Sequence, residues 1–477
     1  MSRSFLSYAL IAAVVIALAA IRLSGPEDLM IYDQERQTSY VLDILKNGKW
    51  IIQTDWMGFP ASKPPLYNWI AAVASLPFGK LNRFALCFPA ILSTFAIALL
   101  VCGTGMKRFG WTAGLLAAMA YVATLLTGKQ IILVRTDGLF ALTVVLTAFA
   151  AWKAWQKGGD WIWFWLAATA GMLTKGPVGL MLGACGLIAA FWEWRTGHPA
   201  PIKGRHTVGI VLLLAVTAGW FALSVWSLGW PAIYQRLFVQ ELAGNAVQAH
   251  DMKVFPGQWF YKPPLYFLAR CVPWSFVALV ASWRVWFRPA ADDTERRFER
   301  FLFCWFWVGI IPFCLGASQR ADHLMPLVPA AALLAGREMA RWMTNWKPVR
   351  VAALVAGVSV VFLVVMYVDH TVMERKKMEM VRSEGMKTLA AQLGNVEIIH
   401  TDDPFALQFY MNTCQRSNSF ARAALALRGE MTVLVAVRKY DDLLEALGTN
   451  APPLVTVAQW TEKGEPFVRI VSNRERK

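Results

Sequence analysis

Between Tyr32 and Tyr67 the chain places Asp33, Glu35 and Arg36 in one run (Tyr-Asp-Gln-Glu-Arg) and Lys63 in another (Ser-Lys-Pro-Pro-Leu-Tyr), which Tyr67 closes. Carboxylates and cations gathered in one loop suit two tasks. A carboxylate can take the proton of a hydroxyl nucleophile, and fixed cations can neutralise charge growing on a phosphate. Single cations also stand at the ends of apolar runs: Lys129, Arg135, Lys175 and Arg320, with Asp137 close behind Arg135. Ionisable groups at membrane depth are functional candidates; the structural alternatives are snorkelling and capping of helix C-termini. Each acid has a structural reading too. Asp33 suits the N-cap of a helix Gln34–Lys46, Glu35 with Arg36 suits an exposed pair, and Asp137 is either a second carboxylate or the partner of Arg135. His323 and Asp322 are candidates to line the same site, the alternative being that a lone His near an interface is merely hydrogen-bonded.

The elements around these residues are written for lipid. Of 477 residues, 57% are hydrophobic and only 16% charged, with 23 Trp and 28 Phe. Soluble domains carry about 25% charge. Apolar runs predict spans near 5–23, 84–104, 110–127, 138–156, 161–174, 177–194, 207–228, 264–287, 300–316, 324–342 and 350–368. This is a polytopic α-helical membrane protein of about 11–13 helices. Arg3 ahead of a long apolar core reads as an uncleaved signal anchor, since further spans follow. With Arg3 inside, alternate loops carry Lys107/Arg108, Lys153/Lys157, Arg195/Lys203/Arg205, Arg284 to Arg300, and Arg341/Lys347/Arg350, the positive-inside pattern. The predicted location is therefore the inner (plasma) membrane. The Asp33–Lys63 loop, Arg135–Asp137, Lys175, the 229–263 loop, Arg320 and the tail fall on the opposite, extracytoplasmic face. Glu241, with Gln240, Asn245, His250 and Asp251, is expected on an interfacial helix across that face. The net charge of +16 lies in loops between spans, with no basic face interleaved with aromatics, so nucleic acid is not an expected partner.

From about residue 370 the composition changes. Met373–Leu393 reads as a charged helix, Phe405–Met411 and Asp441–Leu447 as helices, and Val396–His400, Met431–Val437, Leu454–Gln459 and Phe467–Val471 as strands. The expected division is a membrane domain over 1–369 and a small extracytoplasmic α/β domain over 370–477. Lys63-Pro-Pro-Leu-Tyr67 recurs as Lys262-Pro-Pro-Leu-Tyr266, but no second acidic cluster precedes Lys262, so no duplication is inferred. Seven scattered cysteines form no Cys-x-x-Cys pair and give no metal signal.

In order along the chain stand Asp33-Gln-Glu-Arg-Gln37, Gly48-Lys-Trp50, Lys63-Pro-Pro-Leu66, Arg135-Thr-Asp137, Thr174-Lys-Gly-Pro177 and the polar segment Ser318–Pro326. This series resembles the polytopic GT-C glycosyltransferases, in the branch that includes protein O-mannosyltransferases and the aminoarabinose transferases of lipid A. The resemblance covers roughly residues 5–370. It implies transfer of a sugar from a polyprenyl-phosphate (undecaprenyl-phosphate) donor to an outer-face acceptor: lipid A, another envelope glycan or a secreted protein. Carried over position by position, Asp33 matches the presumed catalytic acid, and Arg36, Lys63 and Lys175 match cations near the donor phosphate. Arg320 is added here as a fourth cation, Asp137 as a second carboxylate, and Glu35, Tyr67, Arg135 and Glu241 as supporting residues.

The chain departs from the family at Gln34, Gln37 and Ser62, where the pattern has an acid, a Tyr and a Glu. The missing Glu is associated with a metal, so no metal ligand is carried over, and a divalent cation is left open as a cofactor. The same changes leave an ordinary hexose or pentose as a candidate sugar. Two rival readings are a transporter or lipid-linked sugar flippase, for which the polar groups gather at one face rather than mid-membrane, and an envelope-polymer ligase.

Overall fold

The computed structural model describes residues 3–27, 29–194, 204–243, 259–316, 319–449 and 451–474. The predicted positions Arg195, Lys203, Asn245, His250, Asp251 and Ser318 lie outside the described residues. Packing of the backbone divides the chain into two compact units. The first comprises Met1–Ser24, Ser62–Tyr67 and Cys87–Val368; the second comprises Gly25–Ala61, Asn68–Leu86 and Asp369–Lys477.

Among the described residues six helices are long and apolar enough to cross a membrane: Arg3–Ser24, Arg83–Phe109, Asp137–Lys157, His206–Leu228, Asp293–Leu315 and Pro348–Lys376. A seventh crossing arises if the pair Lys262–Arg270 and Trp274–Phe287, bent by 118°, counts as one. The chain is a multi-span membrane protein. Several of the eleven expected spans are instead short. The run at 110–127 forms Trp111–Val122, breaks at Ala123 and resumes as Leu125–Gln130. The run at 177–194 becomes Val178–Ala184, a 3₁₀ turn and Ala189–Glu193. The run at 324–342 becomes a 3₁₀ turn Ala321–Leu324 and the helix Val328–Trp342.

Trp111–Val122 and Val328–Trp342 are apolar because they are wrapped in protein, whereas the 177–194 stretch leaves Val178, Met181, Ile188 and Phe191 exposed. Every residue from Val328 to Met339 is buried. A Cβ at Gly336 would stand 2.5 Å from Ala117 N and 2.6 Å from Ala113 O, so only glycine allows the two backbones to touch. Small residues at a helix contact permit this close approach.

One end of this unit carries a buried ion-pair network. Arg296 and Arg300 meet Glu193 at 3.3 and 2.7 Å, Arg337 meets Glu295 and Glu299, Arg341 meets Glu299 and Glu338, and Arg284 meets Glu338 at 3.1 Å. Glu193, Glu299 and Glu338 are almost fully buried, so the arginines answer a desolvation cost that unpaired carboxylates would carry.

The second unit is built on a four-stranded sheet of order β1-β2-β4-β3. The strands are β1 (Ile399–His400), β2 (Leu434–Val437), β3 (Val455–Glu462) and β4 (Glu465–Ser472). β1 runs parallel to β2, and β4 is antiparallel to both β2 and β3. The β3–β4 turn is Lys463-Gly464, both with positive φ (52° and 91°), the geometry of a tight two-residue hairpin. Strand alternation therefore continues to Glu462, beyond the expected end at Gln459. Helices Phe420–Leu427 and Tyr440–Leu447 cover one face, with Ala423, Leu427, Val435, Leu443 and Val471 in the core. The first of these helices was not foreseen. Its Ser419 caps the N-terminus by accepting from Arg422 N.

The same unit includes helix Tyr32–Asn47 and the loop after it. Trp56 stacks on Phe405 at 5.0 Å, Ser417 N donates to Trp56 O at 2.8 Å, and Tyr410 Oη donates to Glu27 at 2.8 Å. Within the loop, Asp43 Oδ2 accepts from Thr54 N at 2.7 Å, and Asp55 Oδ1 accepts from Met57 N and Phe59 N at 3.1 and 2.9 Å.

Candidate active site

In the first unit, five segments far apart in sequence bring their polar residues into one cluster. Lys63 enters just ahead of helix Leu66–Ser75 and is ion-paired with Glu241 on the π-helical stretch Tyr234–Ala243. Asp137 lies in the first turn of helix Asp137–Lys157, where a carboxylate suits the positive helix end. Lys175 is the last residue of helix Ile162–Lys175, where a cation suits the negative end, and it meets Asp137 at 2.5 Å. Gly176 follows with φ +81°, a conformation that side chains resist, and Pro177 caps the next helix. The Thr-Lys-Gly-Pro run is thus a helix end turned sharply into a helix start. It points Lys175 back onto Asp137, with the ammonium 5.5 Å from the Phe140 ring centre.

Asp322, on the 3₁₀ turn Ala321–Leu324, gathers the rest. Its Oδ2 lies 2.8 Å from Arg135 Nη1 and 3.4 Å from Arg320 Nη2, and its Oδ1 accepts from Gln130 Nε2 at 2.5 Å. Tyr67 is fully buried against the Arg135 backbone. His323 stands next to Asp322, 5.8 Å from the Phe313 ring, and feels Lys175, Asp137, Arg320 and Lys63. Burial pushes the His323 imidazole down to about 4; the three cations push the same way, and only Asp137 opposes them. At neutral pH it is an uncharged ring among four cations (Lys63, Arg135, Lys175, Arg320) and three carboxylates (Asp137, Glu241, Asp322).

Asp33, Glu35 and Arg36 belong to the second unit. Asp33 is not an N-cap: helix Tyr32–Asn47 is capped at Ile31 without a side-chain bond, and Asp33 sits inside its first turn. Its carboxylate is 3.8 Å from Arg36 Nη2, one turn along, so Arg36 answers Asp33. Gln37, which departs from the family pattern, donates to Asn68, and Asn68 donates to Gln53 Oε1 at 2.9 Å. The substituted position thereby holds together the loop that follows the helix.

The structure brings together Lys63, Tyr67, Arg135, Asp137, Lys175, Glu241 and Arg320, joins to them Asp322 and His323, which the sequence offered as lining residues, and adds Gln130, which it did not. Asp322 and His323 were visible in the polar segment before helix Val328–Trp342. Gln130 carried no signal, since its role depends on a partner 192 residues away. Among the described residues no three His, Cys, Asp or Glu side chains gather as metal ligands; the carboxylates of the cluster are tied to lysine and arginine.

A family model described as dolichyl-phosphate-mannose-protein mannosyltransferase matches residues 62–221, the stretch from Ser62 through both the Arg135 and Lys175 turns. The chain is 25% identical over 328 residues to an undecaprenyl phosphate-alpha-4-amino-4-deoxy-L-arabinose arabinosyl transferase of Pseudomonas fluorescens, covering 66% of this chain and 54% of that protein. It is 25% identical over 337 residues to the corresponding enzyme of Erwinia tasmaniensis, covering 68% of this chain and 58% of that one. The chain thus spans a little over half the length of these curated relatives. The crystal structure of ArnT from Cupriavidus metallidurans bound to undecaprenyl phosphate superposes with a TM-score of 0.70 at 15% identity, over 98% of this chain and 97% of that one. The chain has the fold of that protein, and its motif series resembles the GT-C glycosyltransferases of the mannosyltransferase and ArnT type.

Proposed function

We propose that this chain is an inverting glycosyltransferase of that type, moving a hexose or pentose from a polyprenyl-phosphate carrier to an acceptor of the cell envelope. The observation that carries the reading is the gathering of Lys63, Lys175, Arg135 and Arg320 from separate segments, each beside a carboxylate that holds it in place. An arriving phosphate can share these cations without the enzyme reorganising, which is what electrostatic stabilisation of a leaving group requires. The undecaprenyl phosphate named with the ArnT structure is a carrier of the proposed chemistry.

The step is a single displacement. The acceptor oxygen forms a bond to the anomeric carbon, and the bond from that carbon to the phosphate oxygen breaks. The electron pair leaves on the phosphate, and the acceptor proton passes to a carboxylate, the role assigned to Asp33. Lys63, Arg36, Lys175 and Arg320 are assigned to the leaving phosphate, and Asp137 to holding Lys175. The acceptor is lipid A, another envelope glycan or a secreted protein, and the charge pattern of the loops supports a reaction on the extracytoplasmic face of the inner membrane.

The test is release of free polyprenyl phosphate from a sugar-loaded donor by purified protein, with mass spectrometry of the acceptor fraction. Release coupled to an acceptor gaining one sugar supports the reading; transport of intact donor without release overturns it. Asp33→Asn should leave the protein folded and lower kcat by roughly 10²-fold or more, the scale of general-base catalysis. Unchanged turnover would remove Asp33 from the mechanism.

A further inference from the structure

Helix Asp137–Lys157 carries Asp137 at one end and Gln156 at the other, about 30 Å apart by helix rise. The arginine network described above lies at that far end, where every member has its carboxylate. Two arginines there do not. The Arg108 guanidinium sits 5.4 Å from the Trp152 ring centre and 5.7 Å from that of Phe298, and donates to Gln156 Oε1. Arg297 directly precedes Phe298, the ring that Arg108 covers, and donates to the Asp293 carbonyl at 3.3 Å. Among the described residues neither forms an ion pair with a carboxylate.

This arrangement is costly as it stands. Arg297 lies near the positive end of helix Asp293–Leu315, the wrong end for a cation. The Trp152 and Phe298 rings flank the Arg108 guanidinium, and Gln156 engages only part of its five N–H donors. An anion between the two guanidiniums would relieve each of these strains. Phosphate oxygens match the planar fork in geometry and charge.

We propose that Arg108 and Arg297 bind the phosphate of an anionic membrane-lipid headgroup at this end of the bundle, separate from the Lys63–Lys175 cluster. The ligand chemistry is a phosphate monoanion flanked by two guanidiniums; a bilayer presents it at the depth where spanning helices end. Free inorganic phosphate is the other source of the same chemistry.

Purified full-length protein in neutral detergent is titrated with phosphatidylglycerol, phosphatidylcholine or inorganic phosphate while the unfolding midpoint is followed. Ligand binding to the folded state raises that midpoint. Phosphatidylglycerol should raise it, and the other two should not. Arg297→Gln should weaken the response about fivefold or more, whereas Lys157→Gln, removing an exposed cation of the same end, should leave it within about twofold. Arg108→Lys, which keeps the charge and loses the planar fork, should also weaken it and serves if Arg297→Gln folds poorly. A phosphate response that the variants abolish would transfer the site from lipid to free anion. No response to phosphatidylglycerol, or equal losses in Arg297→Gln and Lys157→Gln, would leave only a diffuse basic rim and overturn the proposal.

Discussion

Arg135 Nη1 and Asp322 Oδ2 stand 2.8 Å apart, although 187 residues separate them in the chain. Asp322 also accepts from Gln130 and approaches Arg320, so one carboxylate sets the positions of two cations. Asp322→Ala should lower stability by about 1–3 kcal/mol, discounted from the fully buried case because both partners are partly exposed. In a cycle with Arg135→Gln the double variant should lose less than the sum of the singles. Additive losses in thermal unfolding would show that the pair contributes nothing of its own.

Lys63 and Glu241 make a second, separable prediction. Lys63→Ala should raise KM for the lipid-linked donor about tenfold or more and leave acceptor KM within about twofold. Glu241→Gln removes the charge that holds Lys63 and should raise donor KM less than Lys63→Ala does. Equal increases for donor and acceptor would argue against a phosphate role for Lys63.

His323 gives a pH dependence whose sign can be worked out. The unfolded chain protonates this ring below about pH 6.5, whereas the folded protein holds it neutral down to about 4. The unfolded state therefore binds more protons between those values, and stability falls as pH drops from about 6.5 towards 4. His323→Gln should flatten that part of the profile of unfolding midpoint against pH. A wild-type profile that matches the variant's would mean the ring is not held neutral by its surroundings.

Gly336 tests the central helix contact. Gly336→Ala places a methyl group 2.5 Å from Ala117 N and should cost about 1–3 kcal/mol through overpacking. Gly357→Ala, where nothing lies within 4 Å, should be neutral or slightly stabilising. Thermal unfolding of the two variants in the same detergent compares them directly.

Much of this was legible in the chain, and the limits have physical causes. The Arg-x-Asp and Thr-Lys-Gly-Pro turns could be read because local backbone rules fix them: an acid at a helix start, a lysine at a helix end, a glycine where φ is positive. The strands of the sheet could be placed from their apolar runs, although β2 is buried throughout and the Lys463-Gly464 turn between β3 and β4 was not read. Hydrophobicity alone could not separate a helix facing lipid from one facing protein, so buried Val328–Trp342 was counted as a span. The N-cap reading of Asp33 failed because the helix begins two residues earlier, at Tyr32, with no side-chain cap. Helix Phe420–Leu427 went unseen because eight residues make little more than two turns, too few to establish a repeat. The long-range partners of Lys63, Gln130 and Arg135 are products of folding and leave no local trace.

The stacking of Trp56 on Phe405 has a consequence for biogenesis. These rings are 349 positions apart, so the early loop meets its mate only once nearly the whole polypeptide has left the ribosome. Maturation of the segment bearing Asp33 must then be a late event, and nascent chains halted before Phe405 should carry that segment in a protease-sensitive form.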